Sequence, residues 1–153
     1  MSKDEYEVSE VSDLVLEHLM NPRNYGEIED CDCCGIGYDD RTGEFAVIYL
    51  KVENETIKDI KFSAKACQDT IVAGSMFSEM VEKDSIKRAL EAVSIVRDKI
   101  KNAPPAQRAC TSLILTAFEA CVINLENRNK GIDEELHKIK IAESCEIKEG
   151  ENV

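Results

Sequence analysis

Cysteine is the residue type in this chain that is best suited to chemistry. The 153 residues include seven cysteines but only two histidines. The first residues, MSKDEYEVSEVSDL, lack the basic start and apolar run of a secretory signal, so we expect a cytoplasmic protein. Thiols in a reducing compartment tend to serve metals or redox chemistry rather than disulfides. The odd number of cysteines also argues against a complete disulfide framework, and the few histidines argue against a His-rich zinc site.

Two of the cysteines are predicted to lie at the starts of helices. Cys67 falls where a strand gives way to a helix, and Cys110 follows the break at Pro104 and Pro105. Backbone amides and the helix dipole at such positions favour an anion, which lowers the pKa of a thiol and promotes thiolate binding to a metal. We therefore expect Cys67 and Cys110 to be metal ligands.

Three more cysteines fall in residues 23–43, a segment rich in Gly, Asp and Asn that we predict to be a long functional loop. They are Cys31, Cys33 and Cys34, and the C-x-x-C spacing of the first and last suits a chelated metal. A mobile loop could bring these thiols to the two at the helix starts. Such a sulfur-rich site would select an iron–sulfur cluster, zinc or copper(I) over hard cations.

Four other residues have both a functional and a structural interpretation. Glu44 could add a carboxylate ligand beside the thiols, although exposed glutamates at strand ends are common. His18 stands on the apolar face of the first helix, which favours a hydrogen-bonded structural histidine. Cys121 lies on an apolar helix stripe and is expected in the core, while Cys145 in the charged tail is expected to be incidental. No Ser/His/Asp triad, phosphate loop or dinucleotide motif is present.

The hydrophobic periodicity predicts an α+β domain, with a small antiparallel sheet and helices packed mainly on one face. A hairpin is expected over residues 44–52 and 57–64, and the small side chains of residues 73–75 would let another element approach closely. Helices are expected over 11–20, over 68–81, after a cap at Asp84 or Ser85, and after Pro105, with a terminal helix over 132–142. We interpret residues 1–153 as one domain, with a core at about 11–126 and a charged extension over 127–153.

The charge of the chain restricts its partners. The formal net charge is −12, which would repel phosphate backbones and anionic lipids, so we expect neither nucleic acid nor membrane as a partner. A basic protein partner fits the charge better, although the charge can also serve solubility alone. No apolar run approaches the ~20 residues that span a bilayer.

Three segments, in this order, resemble a known family, the IscU/NifU N-terminal iron–sulfur scaffolds. The first is EHLMNPRNYG at 17–26, which looks like the family's N-terminal helix end and turn. The second is the hairpin FAVIYLKVENETIKDIKFSAKAC at 45–67, followed by QDTIVAGSMFSEMV at 68–81. The third is the Pro-Pro break followed by Cys110. The similarity runs from about Leu14 to Leu125.

The resemblance implies both a function and a set of site residues. In the family, three cysteines with a neighbouring aspartate or histidine hold a transient [2Fe–2S] cluster. Its sulfur comes from a cysteine desulfurase, and the cluster passes to apo recipient proteins. The implied role is a scaffold or carrier, not an enzyme. Cys67 and Cys110 match two of the family's cysteines.

This chain departs from the family pattern at three places. The family's Cys-Gly-Asp is Thr42-Gly43-Glu44 here, and a threonine hydroxyl cannot replace a thiolate. The histidine before the third cysteine is Ala109. The chaperone-recognition motif Leu-Pro-Pro-Val-Lys is altered to Ala103–Gln107, which argues against handover to the dedicated chaperone.

The lost thiol coincides with gained ones, which leads to a hypothesis and two alternatives. We hypothesise that one or two of Cys31, Cys33 and Cys34 replace the missing ligand and join Cys67 and Cys110. The first alternative is a zinc-bound sulfur-transfer protein that stimulates a cysteine desulfurase with the same thiols. The second is a metal-binding or regulatory relative without cluster assembly. An exposed cluster site could also be shared between two copies in a homodimer.

Overall fold

The computed structural model describes residues 13–142, which form four helices and four strands. We label the helical residues 13–20 as α1. The remaining elements are β1 (Cys33–Tyr38), β2 (Phe45–Glu53), β3 (Thr56–Lys65), α2 (Gln68–Val81), α3 (Ile86–Ile100), α4 (Pro105–Asn129) and β4 (His137–Lys140). The strand order is β3-β2-β1-β4, with antiparallel pairing of the first three and parallel pairing of β4 with β1. The predicted α+β fold is confirmed, and the sheet has two strands, β1 and β4, beyond the two of the predicted hairpin.

Two predicted elements are wrong. The terminal helix over 132–142 is instead β4, whose four residues alternate between half-buried and exposed as one strand facing the protein on one side does. The long loop over 23–43 contains β1, an interior strand of the sheet. Cys33 and Cys34 therefore belong to a paired strand and not to a mobile loop.

The predicted hairpin is confirmed, together with its turn. Asn54 and Glu55 connect β2 to β3 and have φ angles of 52° and 62°. A two-residue connection with both central residues at positive φ matches the twist of antiparallel strands. Helix α3 also begins as predicted, because the Ser85 hydroxyl accepts a hydrogen bond of 3.1 Å from the backbone N–H of Arg88.

One face of the sheet carries the core. Side chains alternate along a strand, so partners in register share a face. Cys33 pairs with Leu50 and Leu50 with Ile60, and all three are fully buried. Other buried residues on this face are Ala46, Ile48 and Phe62, which join a cluster with Phe77, Leu113, Ile114, Ala117, Phe118 and Cys121 of the helices. Helices α2 and α4 thus cover this face.

Two glycines let α4 lie directly against β1. A Cβ atom on Gly35 would overlap the backbone of Ala117 and Cys121, and one on Gly37 would overlap the backbone of Leu113. These overlaps are with helix backbone rather than flexible side chains, so no larger residue fits without moving α4. A glycine also allows close packing in α2, where Gly74 lies against the ring of Phe62. This agrees with the close approach predicted for the small side chains of residues 73–75.

Helix α1 is fastened to α2 by a buried histidine. His18 is 3% exposed, and its Nδ1 lies 2.7 Å from the Oγ of Ser75. The same hydroxyl oxygen accepts a hydrogen bond of 2.8 Å from the backbone N–H of Arg23. The structural interpretation of His18 is confirmed.

The long helix α4 is the central core element. The expectation that no apolar run approaches the length of a membrane span is wrong for α4, which alone among the residues that the structure describes is long and apolar enough by length and composition. In this fold, 67% of its most apolar window is buried inside the protein. Its hydrophobicity is accounted for by packing against the sheet.

Candidate metal centre

Cys67 and Cys110 come together at one end of the sheet. Their Sγ atoms are in direct contact as a disulfide pair, and their Cα atoms are 7.0 Å apart. This separation slightly exceeds the range of about 4.4–6.8 Å that disulfides usually span. When reduced, the two thiolates are close enough to bind a single metal ion. The expected meeting of these two thiols is therefore found in the structure.

The start of α2 positions Cys67 and links it to Glu44. Cys67 is the N-cap residue of α2, with extended backbone angles and no side-chain cap. Its backbone N–H donates a hydrogen bond of 3.1 Å to Oε2 of Glu44. The N-terminal end of a helix favours negative charge, so both the Cys67 thiolate and the Glu44 carboxylate are stabilised there.

Thr70 lies between the two cysteines and was not predicted from the sequence. This residue is fully buried, and its hydroxyl donates a hydrogen bond of 3.2 Å to the backbone carbonyl of Cys110. The same oxygen is 3.5 Å from the Sγ of Cys67. Thr70 follows the N-cap residue Cys67 by three positions, and residues at this spacing are neighbours on the surface of a helix. It therefore connects α2 to α4 beside the thiol pair.

The N-terminus of α4 stabilises a thiolate at Cys110 less than predicted. It is the sixth residue of α4, which begins at Pro105. The effect of the helix dipole falls off within the first turn, so the expectation that Cys110 gains the same stabilisation from its helix as Cys67 is wrong. Cys110 is 4% exposed and is held by the close packing of α4 on β1 and α2.

The turn between β1 and β2 positions Glu44 beside Cys67 and Cys110. The backbone N–H of Asp39 donates to the carbonyl of Glu44, and the N–H of Gly43 donates to the carbonyl of Asp39, both at 2.9 Å. Gly43 has a φ of 79°, which favours glycine. Thr42 is exposed, and its hydroxyl accepts a hydrogen bond of 3.1 Å from the N–H of Glu44.

The other described thiols lie at the opposite end of the sheet. Phe45 pairs with both Tyr38 and Lys65, at the end where the chain continues to Cys67. Cys33 pairs with Leu50, at the far end of β1. Five residues of strand separate Cys33 from Tyr38, a distance of about 17 Å at ~3.4 Å per residue. The expectation that Cys31, Cys33 and Cys34 join Cys67 and Cys110 is contradicted by this placement.

The pleat of β1 also separates neighbouring thiols from each other. Cys33 faces the helices, where it accepts a hydrogen bond from the Sγ of Cys121 at 3.2 Å. Cys34 points to the opposite face of the sheet, because successive strand residues alternate, and its backbone N–H donates to Oδ1 of Asn124 at 2.9 Å. Cys121 is fully buried, as predicted for a core residue. Cys145 lies outside the described residues.

Burial favours the protonated form of Cys31, Cys34 and Cys121, because it raises the pKa of each thiol. It raises the pKa of Cys34 to about 12, with a smaller contribution from Cys31 and Cys33. Burial likewise raises the pKa of Cys31, against the lowering effect of Arg128, and raises that of Cys121 well above the usual value. Metals bind the thiolate and not the thiol. This end of the sheet is therefore poorly suited to a thiolate site.

The residues that the structure describes do not form a finished metal site. Within residues 13–142, no group of three or more His, Cys, Asp or Glu side chains is arranged to hold a metal ion. The pair of Cys67 and Cys110, with Glu44 beside it, is the part of the described chain whose chemistry best fits a soft metal or cluster.

Comparison with known proteins connects this site to named relatives. A family model described as the NifU-like N-terminal domain matches residues 10–131. The iron–sulfur cluster assembly scaffold protein IscU 1 of Archaeoglobus fulgidus is 35% identical over 126 residues, which cover 80% of each chain. The scaffold protein IscU of Aquifex aeolicus is 31% identical over 116 residues, or 74% of each chain.

A solved structure supports the fold. The N-terminal part of a nitrogen-fixing NifU-like protein from Brucella abortus superimposes with a TM-score of 0.60. The match covers 75% of this chain and 93% of that chain, at 19% sequence identity. At this identity the similarity speaks for a shared architecture alone.

Proposed function

Because this chain belongs to the family of NifU-like N-terminal domains, we propose that it is a scaffold or carrier for iron–sulfur clusters. The cluster is the cargo, held by Cys67 and Cys110 and passed on to apo recipient proteins. The observation that carries the proposal is the contact between these two sulfurs, which come from different helices 43 residues apart. Thiolates of this kind select iron–sulfur clusters over hard cations.

The surroundings of the pair suit an anionic, thiolate-bound cargo. The start of α2 provides backbone amides and a favourable dipole beside Cys67. Glu44 is half-buried next to the pair, where its carboxylate could add an oxygen ligand. The family resemblance makes a [2Fe–2S] cluster the expected cargo, and its irons are held by thiolates.

The proposed role requires protein partners and no chemical catalysis by the chain itself. Sulfur would come from a cysteine desulfurase, and the loaded chain would deliver the cluster by direct contact with its recipient. The altered segment Ala103–Gln107 argues against a dedicated chaperone, and the net charge of −12 argues against nucleic acid and membrane partners. We place the protein in the cytoplasm, where reduced thiols are maintained.

A zinc site is the second candidate. Two thiolates and the nearby Glu44 carboxylate could bind zinc and leave one position open, the arrangement of a reactive zinc centre. Such a site would take part in sulfur transfer from a desulfurase persulfide instead of holding a cluster.

The test is cluster assembly without oxygen. The reduced protein is incubated with a cysteine desulfurase, cysteine, ferrous iron and an excess of a thiol reductant, which supplies the two electrons that turn persulfide sulfur into sulfide, and is then separated from small molecules. The proposal predicts equal amounts of iron and acid-labile sulfide bound to the chain, with absorption from thiolate to iron in the visible range. Bound zinc without sulfide or colour, together with faster desulfurase turnover, would favour sulfur transfer. A chain that binds no iron and sulfide in this assay, and no zinc when zinc replaces the iron, would refute both functions.

A further inference from the structure

We propose that residues 143–153, an acidic segment, dock into a basic groove of the same chain, between the end of α3 and the start of α4. The inference goes beyond the proposed function and does not depend on it, because the groove and the thiol pair lie on different sides of α4. It assigns a binding surface to the charged extension that follows β4.

The groove lies where α3 ends and α4 begins, and its volume is about 370 Å³. Three of its residues, Arg108, Ser112 and Thr116, recur at four-residue spacing and so form one stripe along α4. The other described residues that line it are Arg97, Ile100, Lys101 and Ala142. Cys110 is two positions from both Arg108 and Ser112, or about 200° around the helix. It therefore faces away from the groove.

The charged residues that line the groove are cations. Among its described lining residues, Arg97, Lys101 and Arg108 are basic and none is acidic, although the formal net charge of the chain is −12. Arg97 pairs with Glu119 and Lys101 pairs with Asp98, but both acidic partners lie outside the lining. These two pairs are exposed to solvent, and such pairs contribute little to stability. Another carboxylate can therefore compete for the same cations at low cost.

The start of α4 adds a further preference for negative charge. Arg108 is the fourth residue of α4, and the first turn of this helix contains no acidic residue. The N-terminal end of a helix favours anions, and no carboxylate in the first turn of α4 meets that preference. Arg108 also donates hydrogen bonds of 2.7 Å and 3.4 Å to the backbone carbonyls of Ala103 and Lys101. These bonds hold its guanidinium at the turn between the two helices.

The point at which the chain leaves β4 identifies the occupant. Ile141 is 6% exposed, and its N–H donates a hydrogen bond of 2.9 Å to the carbonyl of Tyr38. The next residue, Ala142, lines the groove, so residues 143–153 begin inside it. They contain four glutamates and one lysine, a charge opposite to that of the lining.

The segment is also long enough to cover the groove. The stripe on α4 extends over about 12 Å, at ~1.5 Å per helical residue, whereas eleven extended residues reach up to about 36 Å. Residues 1–12 contain four acidic residues and one lysine as well. They lead into α1, however, which His18 holds against α2. Of the two acidic segments, the one after β4 is therefore the one that starts at the groove.

The experiment measures backbone order by NMR in the reduced, metal-free, full-length protein. We expect amide order parameters above about 0.6 for residues 143–151 at low salt. At about 1 M salt, where the Debye length falls to ~3 Å, the values should drop below that level. Low order under both conditions would overturn the inference, and so would order that persists at high salt. Order that appears only at high protein concentration would place the segment in the groove of a second copy and overturn the intramolecular assignment.

A triple variant tests which charges hold the segment. Glu143→Gln/Glu146→Gln/Glu149→Gln removes three carboxylates from it and alters no described residue. We expect residues 143–151 of this variant to lose their order at low salt, and the amide signals of the groove residues to shift relative to wild type. An ordered segment in this variant, or signal shifts confined to residues outside the groove, would contradict the proposed docking.

A matched control removes the same amount of charge from the other acidic segment. Glu5→Gln/Glu7→Gln/Glu10→Gln takes three carboxylates from residues 1–12. The inference predicts that residues 143–151 of this protein keep the wild-type order parameters. Release of the segment by the control would show that the overall charge of the chain, and not contact with the groove, sets its order.

Discussion

The backbone N–H of Cys67 donates a hydrogen bond to the carboxylate of Glu44, over a distance of 3.1 Å and across 23 residues of sequence. This contact joins the turn before β2 to the start of α2 at the thiol pair. The N-cap residue of α2 has no side-chain cap of its own. Glu44 therefore accepts from the N-cap amide of α2, as the glutamate of a capping box does.

Removal of the Glu44 carboxylate should destabilise the protein. We expect Glu44→Ala to lower the free energy of unfolding by about 1 kcal/mol, because a helix N-terminal amide loses its acceptor. Glu44→Gln keeps an acceptor oxygen, so it should lower the free energy of unfolding by less than Glu44→Ala does. Urea denaturation of the reduced, metal-free protein measures both effects. Glu29→Ala, at an exposed position, serves as the control and should stay within about 0.5 kcal/mol of wild type.

Substitution of Gly35 by alanine should destabilise the protein strongly, although it adds only one methyl group. A Cβ atom there would overlap the α4 backbone at Ala117 and Cys121, so Gly35→Ala should lower the free energy of unfolding by about 3 kcal/mol. Thermal or urea denaturation measures the change. Ser94→Ala, on the exposed face of α3, adds no atoms to a packed interface and should be nearly neutral. A stable Gly35→Ala protein would contradict the close packing of β1 and α4.

The acid sensitivity of the fold should depend on Glu134. Hydrogen bonds from Asn124, His137 and Asn127 lower the pKa of this carboxyl to about 2, below the ordinary value of about 4.3. A lowered pKa in the folded state contributes stability above the ordinary value, and this contribution is lost as the pH falls towards 2.

The measurement for Glu134 is a comparison of urea midpoints at several pH values. Glu134→Gln should be less stable than wild type at pH 7, and the gap between the two proteins should close between about pH 4 and pH 2. Glu135→Gln, at the exposed neighbouring position, should follow the wild-type curve throughout. A constant gap for Glu134→Gln across this range would show that the carboxylate charge is not the source of the stability.

Much of the fold could be predicted from the sequence because several segments have a clear pattern of apolar and polar residues. The hairpin alternates apolar and polar residues, and α4 is marked by the Pro-Pro break before it and by its long apolar segment, which the fold buries on nearly all sides between Leu113 and Val122. The strand β1 was missed because Gly35 and Gly37 make CCGIGY look like a loop. In the structure these glycines are required by contact with α4, a relationship between distant segments that local pattern does not contain.

The candidate site was predicted in part for a related reason. Cys67 and Cys110 could be named as ligands from their positions and from the family resemblance. The placement of Cys33 and Cys34 depended on whether their segment was mobile, and pairing with β2 fixes them at the other end of the sheet. Thr70 carried one signal, its spacing of three residues from Cys67, but its contact with Cys110 arises only when α2 and α4 pack together.

The most direct test of the account compares cluster content in three proteins reconstituted side by side. These are wild type, Cys67→Ala, and the double variant Cys31→Ala/Cys34→Ala, which leaves the fully buried Cys33 in place. Iron and acid-labile sulfide per chain are the measured quantities. We predict that the double variant retains the wild-type content and that Cys67→Ala loses nearly all of it. Retention by Cys67→Ala, with loss in the double variant, would contradict the assignment of the cluster to the Cys67 and Cys110 pair.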